Sequence, residues 1–170
     1  FSRQYLLPIG YERNNMFLTD WREEDFGELN FYDLYDLLYP NVKMQPFPYT
    51  ANDNPSIGAV YQIPNDEFEC VIMPYFKIDS ETLQSKTVYD TEKATYEYRP
   101  RGFYDTEYPD YPYPEVISYT ENEDKTITLT THVVFPYAGN SKVYAHEVVV
   151  RPLENESGQY VSNKILPSEN

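Results

Sequence analysis

Two histidines, one cysteine and a run of tyrosines interleaved with arginines are the residues of this chain whose types and spacing could do chemistry. His132 and His146 flank a stretch centred on Gly139. A hairpin turning symmetrically about Gly139 sets the two imidazoles opposite each other, about 5 Å apart across the ladder. Such a pair could hold a metal ion or titrate as a unit. A metal still needs a third ligand, and Glu147 points to the other face of the strand. The plainer reading is two unrelated histidines on a polar sheet face.

Other candidates are weaker. The acidic runs 121–124 and 52–54 offer oxygen ligands for calcium, but neither has the alternating Asp, central Gly and terminal Glu of a calcium loop. They read as solvated turns. Cys70, being single, cannot form an internal disulfide, a zinc cage or a CxxC pair. It is placed on the apolar side of a helix, as a small core residue. Nucleophilic catalysis lacks a GxSxG elbow, and no glycine-rich phosphate loop is present. The 28 acidic residues permit some carboxylate pair without pointing to one. The expectation is a non-enzymatic protein without a cofactor. The best binding candidate is Tyr96, Tyr98, Arg99, Arg101 and Tyr104, where guanidinium groups beside phenol rings could orient an anionic or sugar ligand. The plainer reading has the tyrosines covering a sheet edge and the arginines in salt bridges.

The elements that must position these residues follow from composition and pattern. The 170 residues suffice for a single domain, with a less regular part over 1–62 and a core over 63–166. The net charge of −15, with no basic cluster, excludes nucleic acid as a partner. No stretch is long and apolar enough to span a bilayer, so a membrane would be met only through an anchor outside this sequence. The chain begins at Phe1, as a processed or trimmed product would. With 19 tyrosines, 14 prolines and 6 glycines, it suits a β-containing domain with long ordered loops.

Residues 5–9 read as a short strand or ordered arm. Phe31, Leu34, Tyr35 and Leu38 share one helical face, so the spacing predicts a helix over 30–39, capped by Asn30 and stopped by Pro40. Residues 41–63 read as a long loop. A second helix starts near Pro64 with the stripe Phe68, Val71, Ile72, Tyr75 and Phe76, and Pro74 kinks or ends it. A short third helix follows, capped by Asp79 or Ser80. Residues 95–99 suggest a strand, and the Tyr/Pro segment up to Pro114 a loop or an edge. Four antiparallel strands are predicted over 116–121, 126–135, 143–151 and 159–165. Pairing Tyr119 with Leu129 gathers Ile117, Tyr119, Ile127, Leu129, Val133 and Phe135 on one face, and requires an odd-numbered turn around Asp124. The expected fold is α+β: N-terminal helices packed on one face of a C-terminal antiparallel meander of about four strands.

Several runs carry a resemblance. They are Asp66-Glu67-Phe68-Glu69, Met73-Pro74-Tyr75-Phe76, Tyr96-Glu97-Tyr98-Arg99-Pro100-Arg101-Gly102, Val148-Val149-Val150-Arg151-Pro152 and Tyr160-Val161-Ser162-Asn163. Over about 63–166 the chain resembles an uncharacterised family of exported proteins and lipoproteins of Clostridia-type Gram-positive bacteria. The resemblance implies an extracellular, cell-surface location. It supplies no catalytic residue, because that family has no established activity.

The function expected is a non-catalytic cell-surface binding or interaction domain with an aromatic Tyr/Arg surface, its partner a protein or glycan of the envelope. The alternative is a pocket for a small ligand or carbohydrate, with weak hydrolase activity.

Overall fold

The computed structural model describes residues 1–49, 60–100, 112–135 and 143–167. They fall into two compact units. The first comprises Phe1–Asn30, Tyr75–Lys77 and Glu107–Asn170, and the second Phe31–Pro74 and Ile78–Thr106.

The first unit is built on a five-stranded antiparallel sheet. Its long strands are β5 (Tyr113–Glu121), β6 (Ile127–Val134), β7 (Tyr144–Pro152) and β8 (Gly158–Ile165). A two-residue strand, β1 (Trp21–Arg22), pairs with β8 and completes the order β1-β8-β7-β6-β5. Tyr119 pairs with Leu129 as the face pattern demands. The connection Asn122 to Thr126 is odd-numbered, and Lys125 at φ +71° supplies the left-handed residue that closes such a turn. Leu129, Thr131 and Val133 of β6 and His146, Val148 and Val150 of β7 are buried on one face. Thr128, Thr130 and His132 alternate to the other.

The expected helical cover of this face is corrected by the structure. Irregular chain covers it instead. Leu6, Ile9, Tyr11, Met16, Phe17, Trp21 and Phe26 are buried there with Phe76. The segment opens with one wide, π-type turn over Ser2–Leu6, where Leu7 N donates to Ser2 O at 2.8 Å. Tyr5 seats that turn. Its ring lies so close to Gly158 that a Cβ there would meet it at 2.7 Å, and its carbonyl accepts from the Tyr160 hydroxyl at 2.5 Å. Asn14 holds the next bend, its Nδ2 donating to Ile9 O and Glu12 O while Oδ1 accepts from Met16 N.

The second unit contains α1 (Phe31–Lys43), α2 (Asn65–Ile72), α3 (Ser80–Ser85) and a small sheet of β2 (Tyr61–Pro64), β4 (Thr95–Tyr98) and β3 (Tyr89–Asp90), in the order β2-β4-β3. The total is thus eight strands in two sheets among the described residues, not one four-stranded meander. α1 runs through Pro40 because that residue lies on the exposed side, and the turn behind it closes with Met44 N donating to Pro40 O at 3.0 Å. Met44 takes the left-handed conformation that ends helices, φ +55°. α2 ends before Pro74 as expected, and Asp79 caps α3 by accepting from Thr82 N at 2.7 Å.

Tyrosine supplies the core of this unit. Tyr35, Phe68 and Tyr96 stack in sequence, with centroids 4.5 and 4.4 Å apart and planes within 22° and 18°. Tyr96 donates its hydroxyl to Glu69 at 2.9 Å. Cys70 is exposed rather than in the core. It follows Phe68 by two residues, about 200° around the helix.

Among the described residues, the Tyr35 hydroxyl is buried without a hydrogen-bond partner, a state that costs about 1–3 kcal/mol. Tyr35→Phe is therefore expected to raise stability by about 1 kcal/mol in urea unfolding, whereas Tyr160→Phe, which frees the Tyr5 carbonyl, lowers it by about the same.

Candidate functional site

Of the residues expected to form a binding surface, the three that are described, Tyr96, Tyr98 and Arg99, do not present one together. Tyr96 and Tyr98 are 0% and 2% exposed, with their rings in the core of the second unit. Arg99 is exposed and pairs with Glu97 at 2.7 Å. It borders a small hollow of about 230 Å³ with Tyr32, Val88 and Pro100. Arg101 and Tyr104 lie outside the described residues, as does the acidic run 52–54.

The two histidines do not face each other. His132 pairs with Ala145, and His146 with Thr131. The register is one residue away from a symmetric hairpin, and a slip of one residue sends the imidazoles to opposite faces. His132 is on the polar face, and His146 is fully buried. No group of three metal-ligating side chains occurs among the described residues.

His146 instead sits in a fixed chain of hydrogen bonds. Asn163 Nδ2 donates to Thr19 O at 2.8 Å, which assigns Oδ1 to His146 Nδ1 at 2.7 Å. Nδ1 must then carry the proton, and Nε2 accepts from the Tyr11 hydroxyl at 2.8 Å. The imidazole is neutral. Burial pushes its pKa down to about 4, only partly offset by the bond to Asn163. Burial also raises the Tyr11 and Tyr144 phenols, the latter to about 12. Tyr144 donates to Phe17 O at 3.1 Å. Both ring nitrogens are engaged, by the Tyr11 hydroxyl and the Asn163 amide oxygen. The arrangement orients chain.

An accessible apolar surface lies on β5, at the edge of the sheet. Ile117 is 50% and Tyr119 56% exposed. Phe1 packs edge-on against Tyr119, with centroids 4.9 Å apart. Together with Ser2, Arg3, Val116 and Ser118 they line a shallow groove of about 390 Å³. Ile117 lies in a bulge between Val116 and Ser118, which turns it out of the pleat. Asn122 N donates to Thr126 O. Antiparallel pairs alternate between hydrogen-bonded and open, so the backbone groups of Tyr119 and Glu121 point away from β6, to the free edge. Upstream, Ser2 Oγ accepts from Val116 N at 3.3 Å and Pro114 has no donor. Among the described residues, the open part of the edge is therefore 118–121. Pro114 is a legible edge signal and the face pattern puts Tyr119 on the sheet's apolar face, but no pattern in the sequence says that β5 ends the sheet among the described residues. A second, more polar cleft of about 520 Å³ lies at the β1–β8 end, lined by Asp20, Trp21, Arg22, Asp25, Gly27, Ser162, Asn163 and Lys164.

The chain belongs to a family of unknown function, DUF6070, whose model matches residues 1–170. No curated protein and no solved structure matches it.

The neutral state of His146 fixes a pH dependence. Between about 6.5 and about 4 the unfolded chain holds a proton that the folded chain does not. Stability from this group is whole above about pH 6.5 and falls by about 3 kcal/mol as pH drops to about 4, with no further loss below. Denaturant unfolding at stepped pH is expected to show this slope in the wild type and to lose it in His146→Gln.

Proposed function

We propose that this protein is a non-catalytic binding module that takes an extended, basic polypeptide segment as an added strand beside β5. The observation that carries the reading is the open edge at Tyr119 and Glu121, with the Phe1, Ile117 and Tyr119 groove beside it. Unpaired strand amides and carbonyls at a sheet edge match another polypeptide backbone in strand conformation, and a flanking apolar groove seats alternate side chains. Glu115 and Glu121 lie on the strand, and the chain carries −15 overall, so Lys- or Arg-bearing segments are favoured. The same charge opposes a second copy of this chain as the occupant.

The polar cleft at Asp20, Arg22, Asp25, Ser162 and Lys164 favours a second reading, a small polar ligand or sugar bound there. The extracellular, lipid-anchored location implied by the sequence resemblance belongs to the same proposal. Fractionation that recovers the protein in the cytoplasm would remove it.

The test is a panel of short synthetic peptides alternating Val or Thr with Lys, their Glu counterparts and peptidoglycan fragments, followed by amide chemical shifts. Lys peptides are expected to bind and to move Tyr119 and Glu121. Tyr119→Ala and Ile117→Asp should each weaken binding by about tenfold. A peptide panel without binding rejects strand addition, and shifts mapping to Arg22 and Lys164 on adding a glycan transfer the function to the cleft.

A further inference from the structure

We propose that His146 is an acid-sensitive latch that holds residues 10–19 on the large sheet and releases them, ahead of the sheet itself, when it takes up a proton. The inference is independent of what β5 binds.

The geometry rests on how this segment is attached. Among the described residues, no backbone ladder joins 10–19 to the sheet; pairing resumes only at Trp21. Its polar attachments are side-chain bonds. Tyr11 donates to His146 Nε2, Asn163 Nδ2 donates to Thr19 O, Tyr144 donates to Phe17 O and Trp21 Nε1 donates to Met16 O. Two of these four converge on the His146–Asn163 pair. The Phe17 ring also covers the imidazole at 5.2 Å, and the Tyr11 ring at 5.6 Å. The cover and the histidine therefore share one set of contacts.

No carboxylate faces the imidazole among the described residues, and the bond from Nδ1 to the Asn163 amide oxygen offsets only part of the burial. From the covering segment come Tyr11 and Phe17. Tyr144 comes from its own strand, Thr131 from β6 and Asn163 from β8. Asp20 binds the backbone N of Ile165, the residue paired with His146, but no carboxylate is bonded to the ring among the described residues. Glu147 and Lys164, paired with each other, are on the opposite face. A proton arriving at Nε2 removes the acceptor of the Tyr11 hydroxyl and leaves an unpaired cation in an apolar site. Opening restores water to the ring. It also releases the Thr131 hydroxyl, which is buried without a partner among the described residues in the closed state.

The test is hydrogen exchange on the whole chain, read as protection factors at stepped pH. In the wild type the opening of 10–19 is expected to rise about tenfold per pH unit between about 6.5 and about 4, because one proton is taken up on opening. Amides of Leu129 and Val148 should stay protected over that range. In His146→Gln the opening should not depend on pH. Tyr11→Phe should keep the pH slope but start from weaker protection, and it decides the matter if the Gln variant does not fold. The latch is rejected if wild-type opening does not vary with pH, if the Gln variant keeps the slope, if Tyr11→Phe matches the wild type, or if 10–19 and the β6–β7 amides lose protection together.

Discussion

An antiparallel sheet with one apolar face must be covered, and in this protein the cover is chain without a repeating backbone ladder. That constraint explains much of the first unit. Irregular chain cannot satisfy its own amides and carbonyls by periodic bonds, so side chains must do it. Asn14 does so within the segment, Trp21 by donating to Met16 O, and Tyr144, Tyr160 and Asn163 from the sheet. The polar residues on an otherwise apolar face are the cost of that solution. Asn163 is the hinge of the arrangement because one amide serves both the cover and the imidazole, and so fixes the tautomer.

The second unit solves a different problem with the same residue type. A tyrosine stack gives large apolar contact without long aliphatic side chains, and each hydroxyl must reach an acceptor. Tyr96 reaches Glu69, and Tyr49 reaches Glu67. Tyr35 does not, and stays in place through its stacking between neighbours. Acidic residues at the rim of an aromatic core thus act as hydroxyl acceptors as well as solubilising charges.

The sequence reading succeeded where a period was long enough to measure. The four long strands, the pairing of Tyr119 with Leu129, the odd turn and the stripe of α1 rest on repeats of a turn or more, whereas of the expected α2 stripe only Phe68, Val71 and Ile72 lie on the helix, and Tyr75 and Phe76 follow it. It failed where one residue decides. β1 and β3 have two residues each, too few to alternate visibly. The offset between His132 and His146 depends on a connection whose length parity could not be read from Gly139. Cys70 was assigned to the wrong side of a helix on which two residues turn a side chain to the back. Tyr96 and Tyr98 stand two residues apart and so share one face of β4, and that face, not an exposed one, is the packed side of the small sheet. Nor could pattern reveal that the meander's partner is the chain before Asn30, since those residues follow no period.

The edge at β5 and the node at His146 stand at opposite ends of one logic: the sheet is finished on its apolar face and left open at one side. The central claim concerns the finished face, and the state of one ring tests it most directly. Long-range proton–nitrogen correlation spectra of the imidazole of His146 at neutral pH should show the Nδ1–H neutral tautomer, titrating well below the ordinary histidine value, near 4. An Nε2–H tautomer, or a titration near 6.5, would mean that Tyr11 and Asn163 do not hold the ring and that the cover is fixed in some other way.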